Sequence, residues 1–359
     1  MSAQGQRIAD ADADSAPAAL SAVRELSPVD YSRWDAFVQA HPEATFYHLS
    51  GWKEVIGGYL RHPTRYLYVE RDGQMEGVLP LARVKSWLFG DALISLPFLV
   101  YGGPVSRSPE ATRRLIEHAA ALADEMGVDY LELRNRHPLT DWPRKERYVT
   151  FRKEIDPDPE VNLKAIPRKQ RAMVRKGIKA GLEAEIDGSA DRLYDVLSEC
   201  KRNLGTPFFA GSYLQKVADT FGDDCEILTI TRDGEPVASV MSFRFRDEVL
   251  PYYGGGIASA RDVAGNDFLY WKVMERAALE GIRVFDYGRS QKDTGPYRFK
   301  KHWGFEPEPL SYEYHLVKAR QVPQLDPSNK RYQRLIRAWT RLPLPVARLI
   351  GPPLARRLG

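Results

Sequence analysis

Residues 226–256 read EILTITRDGEPVASVMSFRFRDEVLPYYGGG, and this stretch decides the fold class of the chain. Two runs rich in β-branched and apolar residues flank Asp233 and Gly234, a pair typical of the two-residue turn of a β-hairpin. A third apolar run at residues 249–253 ends in three consecutive glycines. The stretch therefore predicts three consecutive strands.

The residues that follow change from strand to helix periodicity. Residues 267–279 predict a helix that ends at Gly281, and residues 283–287 predict a fourth strand. A helix that joins the third strand to the fourth makes these two strands parallel, and one face of the helix must then pack on the sheet. This arrangement is an α/β unit.

The same order of elements occurs roughly 155 residues earlier in the chain. Asp72 and Gly73 separate two predicted strands there, and Gly127 ends a predicted helix that begins at Ser108. The strands fall at residues 66–69, 78–84, 92–99 and 129–133. We therefore expect an α/β protein of two tandem units, each a mixed sheet with packed helices. Gly102–Gly103 and Gly255–Gly256 are expected at corresponding strand ends.

Length and charge divide the chain further. Its 359 residues exceed the usual size of one domain, and 43% hydrophobic with 28% charged residues is typical of a folded protein. Residues 162–182 contain seven basic and no acidic residues, and residues 330–359 contain eight and none. We expect a disordered N-terminus (1–22), a first unit (23–160), a basic linker helix (161–186), a second unit (187–318) and a basic amphipathic C-terminal tail (319–359).

Several classes of protein lack support in the sequence. Cys200 and Cys225, the two cysteines, show no metal-ligand spacing, so we expect neither a metal site nor a disulfide framework. The sequence contains no nucleophile elbow, no HExxH zinc motif and no phosphate-binding loop of ATPases. The N-terminus is acidic and alanine-rich, unlike a signal peptide, and the longest apolar run is about half of the length that a membrane helix needs. A cytoplasmic protein is expected.

Eight short motifs carry a resemblance to a known family: SGWK at 50–53, GVLPL at 77–81, SLPF at 95–98, YGG at 101–103, RAMVRKGIKAG at 171–181, FDYGRS at 285–290, YRFKK at 297–301 and WGF at 303–305. With the order of elements, they resemble the GNAT acyltransferase fold, and the paired form resembles the FemAB family of peptidoglycan-bridge aminoacyltransferases. The last three motifs are most similar to FemAB-like proteins of exosortase A and PEP-CTERM exopolysaccharide systems. The resemblance implies an acyltransferase of cell-envelope or exopolysaccharide biogenesis that moves an aminoacyl or acyl group onto an amine.

The resemblance also implies partners. Members of the family take an amino acid from aminoacyl-tRNA and add it to an amine of an envelope precursor, with no tightly bound cofactor. Two alternatives stay open: an N-acyltransferase that uses acyl-CoA, and a non-catalytic binding protein of an exopolysaccharide assembly system. Residues 261–266 are only faintly similar to the pyrophosphate loop of GNAT enzymes. Phe209 stands where a phosphate-binding arginine is expected in FemX-like enzymes, and a phenyl ring cannot pair with a pyrophosphate.

Acyl transfer to an amine needs stabilisation of the negative charge on the tetrahedral oxygen and a route for the proton that leaves nitrogen. Phe299 and Lys300 match a Phe-Lys pair of the FemX-like active site, so the resemblance implies Lys300 as the charge-stabilising group. We expect an alternating strand there, and a solvated edge of lysines is the alternative. Asp286 lies in an apolar run and needs a partner such as Arg289, as either a base or a structural ion pair.

Further candidates for substrate contact come from both units. Trp52 and Lys53 lie where the family places part of its acceptor cleft, and a packed tryptophan beside a surface lysine is the alternative. The remaining predicted substrate contacts are Tyr101, Tyr213, Tyr253, Arg289 and Tyr297. Basic residues at helical spacing predict a helix face that contacts tRNA or another phosphate, or only links the units: Arg168, Arg171, Arg175 and Lys179.

The C-terminal tail has the pattern of a helix that lies on a membrane surface. Tyr332, Leu335, Ile336 and Trp339 fall on one helical face, and arginines populate the other. The prolines that follow predict an end of helical structure near Leu342. We expect peripheral binding to the anionic cytoplasmic face of the inner membrane, with packing of the helix on the body as the alternative.

Overall fold

A computed structural model of the protein describes residues 19–86, 90–323 and 330–358. Its strands are β1 (Arg24–Glu25), β2 (Thr64–Arg71), β3 (Gln74–Ser86), β4 (Gly90–Ile94), β5 (Val105–Ser106), β6 (Tyr130–Asn135), β7 (Arg144–Lys145), β8 (Tyr148–Glu154), β9 (Glu183–Ile186), β10 (Cys225–Arg232), β11 (Glu235–Phe245), β12 (Glu248–Gly256), β13 (Val284–Asp286), β14 (Ser290–Gln291), β15 (Pro307–Pro309) and β16 (Ser311–Leu316). Its helices are α1 (Tyr31–Ala40), α2 (Gly51–Lys53), α3 (Pro109–Met126), α4 (Pro159–Ala165), α5 (Arg168–Lys179), α6 (Asp191–Asn203), α7 (Gly211–Phe221), α8 (Gly265–Leu279), α9 (Gly295–His302), α10 (Lys330–Thr340) and α11 (Leu344–Ala355).

The strands form two mixed sheets. Sheet 1 has the order β1-β2-β3-β4-β6-β16-β7, with β5 paired to β3. Sheet 2 has the order β14-β8-β13-β12-β11-β10-β9, with β15 paired to β8. The parallel pairs are β4 with β6 and β12 with β13, and α3 and α8 are the helices that connect them. The expected α/β architecture of two tandem units is confirmed.

The two hairpins have the same backbone geometry. Asp72 and Gly73 have φ angles of 49° and 73°, and Asp233 and Gly234 have φ angles of 52° and 81°. Positive φ at both central residues defines the turn whose twist matches the twist of the paired strands. The second strand of each hairpin also has a bulge shortly after the turn, at Glu76 and at Val237. The internal repeat is therefore visible in the backbone itself.

The third strand of the first unit is shorter than predicted. It ends at Ile94, because Leu96 and Phe98 have φ angles of 56° and 71° and turn the chain out of the sheet. Gly102–Gly103 consequently lies in a loop, whereas Gly255–Gly256 belongs to β12. The expected correspondence of the two glycine pairs is wrong.

The two units exchange one strand each. The expected units, residues 23–160 and 187–318, are therefore wrong at β8 and β16. β8 was expected in the first unit, but it pairs with β13, β14 and β15 of sheet 2. β16 was expected in the second unit, but it lies between β6 and β7 of sheet 1. The physical reason is that strand pairing depends on which sheet edges meet in three dimensions, whatever the place of a strand in the chain.

The N-terminus and the linker also differ from expectation. Residues 1–18 lie outside the described residues, but Leu20 is buried and the Ser21 amide donates to the Glu70 carbonyl at 2.8 Å, so the disorder expected up to residue 22 is wrong for this part. The expected linker helix is two helices, α4 and α5, followed by β9, which pairs with β10. Val174 of α5 is buried, whereas Ile178 of the same helix is 54% exposed.

The tail forms two helices instead of one. α10 ends at Thr340 as expected, but α11 follows. Pro343 and Pro345 stand at the N-cap and in the first turn of α11, where backbone N–H groups have no partner within the helix, so they do not prevent it. Both helices contact α6. Among the residues that the structure describes, no helix combines the length and the hydropathy that a membrane span requires.

A shared aromatic core joins the units. Phe46 and Trp52 precede β2, and they pack against Phe221 and Phe243 of the second unit. The stacked rings of Phe46 and Phe243 are 4.4 Å apart between centroids. Burial of such large apolar side chains contributes roughly 1.5–3 kcal/mol each, so the interface is part of the hydrophobic core and not a loose domain contact.

Candidate functional site

Asp286 lies at the junction of the two units and is almost fully buried, with 1% exposed surface. The Gly288 amide donates to its Oδ1 at 2.6 Å, and the Tyr101 hydroxyl donates to its Oδ2 at 3.1 Å. Thr150 Oγ1 donates to Oδ1 at 3.4 Å, and Arg152 Nη1 lies 3.4 Å from Oδ2. The carboxylate therefore binds donors from both units at once.

The exchange of β8 explains this network. β8 runs antiparallel to β13, with Arg152 opposite Asp286, and it brings the side chains of Thr150 and Arg152 to the carboxylate. Arg152 also forms a short ion pair with Glu248. The predicted partner of Asp286, Arg289, is wrong, because Arg152 takes that place.

Lys300 lies on α9 and not on an alternating strand, so that part of the expectation is wrong. Its side chain points into the protein and is 9% exposed. Nζ donates to the backbone carbonyls of Tyr287 at 2.6 Å, Gly288 at 3.0 Å and Arg289 at 3.2 Å. Gly288 has a φ of 64°, which lets the chain curl around the amino group. All three protons of an ammonium group have acceptors here.

Burial lowers the pKa of Lys300 to about 7, while attraction by Asp286 opposes the shift and repulsion from Arg289 adds to it. A pKa near neutral means that both protonation states are populated at physiological pH. Lys300 can therefore present a positive charge in one state and accept a proton in the other. The alternative of a solvated edge applies to Lys301, which is exposed, and not to Lys300.

Arg289 connects Lys300 to a cavity. Its carbonyl accepts from Lys300, whereas its side chain extends the other way and donates to the Tyr312 hydroxyl at 3.2 Å. The guanidinium carbon lies 4.5 Å from the ring centroid of Tyr148 and 5.6 Å from that of Tyr312. Both distances are in the range of cation–π contacts.

The cavity has a volume of about 440 Å³ and lies between sheet 1, the second unit and the tail. This volume is within the range of small-molecule sites. Its charged and aromatic lining consists of Phe98, Tyr130, Glu132, Arg134, Lys145, Tyr148, Arg289, Tyr312, Tyr314 and Arg357. Tyr101 lines a separate cavity of about 270 Å³ on the first unit.

The other tyrosines predicted to contact substrate line neither of these two cavities. The hydroxyls of Tyr213 and Tyr253 are hydrogen-bonded to each other at 2.8 Å, and the ring of Phe209 stacks on Tyr213 with centroids 4.2 Å apart. Phe209 thus fills the space beside Tyr213 with a ring. Tyr297 and Phe299 are partly buried on α9 and pack against the core of the second unit.

Trp52 and Lys53 lie outside both cavities. Trp52 has no exposed surface and packs in the shared core, so it has no face for a ligand in this structure. Lys53 donates to Thr64 Oγ1 at 3.3 Å and lies over the ring of Tyr66. The packing alternative describes both residues.

The basic side chains of α5 face outward. Arg168, Arg175 and Lys179 are exposed, and Arg171 is partly buried. The helix packs on α8 through Val174 and Gly177 on its other side. Within the described part of the chain, none of these four basic residues forms an ion pair.

Sequence reasoning missed the residues that line the cavity from sheet 1. The signal for them was present in residues 130–135, YLELRN, where Glu132 and Arg134 recur at strand spacing on one face. Lys145 carried no comparable signal, because β7 has only two residues. Tyr148 lines the cavity from β8 of sheet 2, whose partner strands are distant in sequence.

Comparison with known proteins agrees with this architecture. Residues 168–301 match a family model described as an acetyltransferase (GNAT) domain. The matched range contains β9 to β13 with α8, and it includes Asp286 and Lys300. A search of the curated proteins finds no match.

Solved structures share the fold of both units. A structure titled FemX superposes with a TM-score of 0.64 at 16% identity, over 83% of this chain and 98% of that one. A tandem GNAT protein from the clavulanic acid biosynthesis pathway superposes with a TM-score of 0.53 at 14% identity, over 85% of this chain and 100% of that one. The C-terminal domain of a putative lysylphosphatidylglycerol synthetase from Agrobacterium fabrum superposes with a TM-score of 0.54 at 13% identity, over 80% of this chain and 92% of that one. At these identities the likeness concerns the fold alone.

Proposed function

We propose that the protein transfers an aminoacyl or acyl group from a donor to an amine acceptor in the building of the cell envelope or an exopolysaccharide. The observation that carries the proposal is the match of residues 168–301 to a GNAT acetyltransferase domain, which contains the buried Lys300 with its lowered pKa. The chain motifs similar to FemAB-like proteins support the aminoacyl form and the envelope role.

In this proposal Lys300 acts on the reacting group. Neutral Lys300 receives the proton that leaves the amine as its nitrogen bonds to the acyl carbon, and the resulting ammonium supplies positive charge to the oxygen of the tetrahedral intermediate. As the intermediate collapses, the C–O or C–S bond to the donor breaks and Lys300 returns the proton to the leaving oxygen or sulfur. Asp286, held by Tyr101 and Arg152, keeps the loop of residues 287–289 in place through its bond to the Gly288 amide. Phe299 of α9 packs against the rings of Tyr287 and Trp303.

The test replaces Lys300 by methionine and uses Lys301→Met as the matched control on the exposed side of α9. Removing one charge-stabilising donor costs about a hundredfold or more in rate, so Lys300→Met should lose transfer activity while Lys301→Met keeps it. Equal activity of the two variants, with folding intact, would remove Lys300 from the mechanism.

An acyl-CoA donor is the second candidate, and the start of α8 favours it. Ala264, the N-cap of α8, has a φ of 57° and makes no side-chain cap hydrogen bond, and the buried carboxylate of Asp267 lies in the same first turn. A pyrophosphate of the donor would bind backbone N–H groups of this turn. Thermal protection distinguishes the donors: CoA should raise the melting temperature if acyl-CoA is used, and charged tRNA if an aminoacyl group is used.

A tRNA partner would bind along α5. Arg168, Arg175 and Lys179 are exposed on one helix, and basic residues there would contact phosphates. Replacing the three with glutamine should weaken tRNA binding. It should also make the plot of log binding constant against log salt concentration less steep, by the amount that about three phosphate contacts contribute. An unchanged salt dependence would exclude α5 as the contact.

The tail is proposed to bind an anionic membrane surface. Leu335 and Leu349 are 58% and 77% exposed on α10 and α11, beside a segment with eight basic and no acidic residues. Serine at both positions should reduce co-sedimentation with anionic vesicles at low salt. Leu279→Ser is the control, because Leu279 is 71% exposed on α8. Equal loss in the control would defeat the membrane role.

A further inference from the structure

The cavity of about 440 Å³ has an excess of positive charge. Four cationic side chains line it, Arg134, Lys145, Arg289 and Arg357, against a single carboxylate, Glu132. Most charged groups inside a protein have a partner of opposite sign, because removing a charge from water is costly. The lining therefore departs from the usual balance.

Glu132 is already engaged by one of these cations. Arg134 Nε donates to its Oε1 at 2.7 Å, and the Tyr314 hydroxyl donates to its Oε2 at 3.0 Å. Arg134 also donates to the carbonyls of Leu96 and Leu99. The carboxylate and Arg134 thus satisfy each other within the wall of the cavity.

Arg289 and Lys145 have no such partner. Within the described residues neither forms an ion pair. Arg289 donates to a tyrosine hydroxyl and lies against two rings, and Lys145 Nζ lies 4.9 Å from the ring centroid of Tyr314. Burial lowers the pKa of Lys145, Glu132 opposes the shift, and the positive charges of Arg134 and Arg289 add to it. These cations repel one another in the free protein.

We infer that the cavity is a binding site for an anionic group, a carboxylate or a phosphate, held by Arg289 and Lys145. The planar guanidinium fits either oxyanion through two parallel hydrogen bonds, and the ammonium adds a point charge. The rings of Tyr130, Tyr148 and Tyr312 supply flat apolar surface for the rest of the ligand.

The position of Arg289 gives this ligand a role. Its side chain lines the cavity while its carbonyl accepts from Lys300, so this one residue connects the anion site to the proposed reaction centre. On the basis of the proposed function, the acceptor is then an amine that also carries a carboxylate or a phosphate. Pro323, Arg357 and Leu358 of the tail line the same cavity and shield it from one side.

Binding can be measured with the full chain and without any acyl donor. The probes are sodium phosphate and sodium acetate, each compared with sodium chloride at equal ionic strength, and the readout is the melting temperature. We expect one or both probes to raise it by about 2–4 °C at concentrations well above the dissociation constant. A shift with phosphate alone assigns a phosphate, and a shift with acetate alone a carboxylate. No shift with either probe overturns the inference.

Two variants decide whether the named residues hold the anion. Arg289→Met and Lys145→Met should each abolish or strongly reduce the shift, whereas Arg283→Met, at an exposed arginine paired with Asp247, should keep it. Because both cations lack an ion-pair partner, these variants should melt no more than a few degrees below the original protein. If Arg289→Met does not fold, Lys145→Met carries the test. A full shift in the variants that fold overturns the inference.

Catalysis separates this inference from the proposed function. Anion binding that depends on Arg289, in a protein that transfers no acyl group, would leave the anion site standing and defeat the proposed function. Transfer to ethanolamine as fast as to O-phosphoethanolamine and β-alanine would leave the function standing and overturn the assignment of an anionic acceptor.

Discussion

Replacing Lys300 by methionine should change how the stability of the protein depends on pH. The pKa of Lys300 falls from 10.5 to about 7 on folding, chiefly through burial. Between these values the unfolded chain holds a proton that the folded chain has lost, so the free energy of unfolding rises with pH. A fall of about 3.5 units corresponds to roughly 5 kcal/mol in total, spread over this interval.

Methionine has a similar length and no charge, so the variant lacks this contribution. The difference in unfolding free energy, original minus variant, should increase by up to about 1.4 kcal/mol per pH unit between about pH 7.5 and 9.5. Below about pH 6 the difference should level off, because Lys300 is then protonated in both states. Loss of the bonds to the three carbonyls adds an offset of similar size at each pH.

Urea denaturation at a series of pH values measures this difference, with two-state behaviour checked by two spectroscopic probes. Lys301→Met, on the exposed side of the same helix, should give a difference that is flat across the interval. A flat difference for Lys300→Met as well would refute the reasoning. It would mean that the three carbonyl acceptors hold the ammonium form at its ordinary pKa.

Two further substitutions test the packing of the protein, one at the buried Asp286 between the units and one at Gly103 in the loop of the first unit. Arg152→Met leaves the buried carboxylate of Asp286 without its ion-pair partner, and it should lower the unfolding free energy by about 3–5 kcal/mol in urea denaturation; a loss below about 1 kcal/mol would contradict the assigned pairing. Gly103→Ala places a methyl group 2.0 Å from Asn135 Oδ1 and should lower the unfolding free energy by about 1–3 kcal/mol. Gly295→Ala is the control, because no atom lies within 4 Å of the added methyl group, and it should leave the unfolding free energy nearly unchanged. Similar losses in both variants would contradict the packing at Gly103.

The elements of each unit could be predicted because their signals are local. The turn at Asp233 and Gly234 needs two residues with positive φ, and Asp-Gly supplies them at little cost. The start of α3 was equally clear: Ser108 accepts from the Ala111 amide, and Gly127 ends the helix at a φ of 56°. A single sequence was sufficient for the order of strands and helices within a unit.

The pairing between distant strands could not be predicted. β8 and β16 have apolar alternation that would suit either sheet, and only the three-dimensional edges decide where each one pairs. The partner of Asp286 was misassigned for this reason, since Arg152 reaches it only through β8. The anion site was missed likewise, because Lys145 and Arg289 lie far apart in the sequence and meet at one cavity.

The exchange of β8 and β16 has a consequence for synthesis of the chain on the ribosome. Sheet 1 cannot place β16 between β6 and β7 until residue 316 has emerged, after almost the whole second unit has been made. Until then the edge of β6 stays open to a strand from another nascent chain. Each half, cut between the units, would also lack one strand of its own sheet. Neither half is therefore expected to fold on its own, although the backbone repeats the same unit twice.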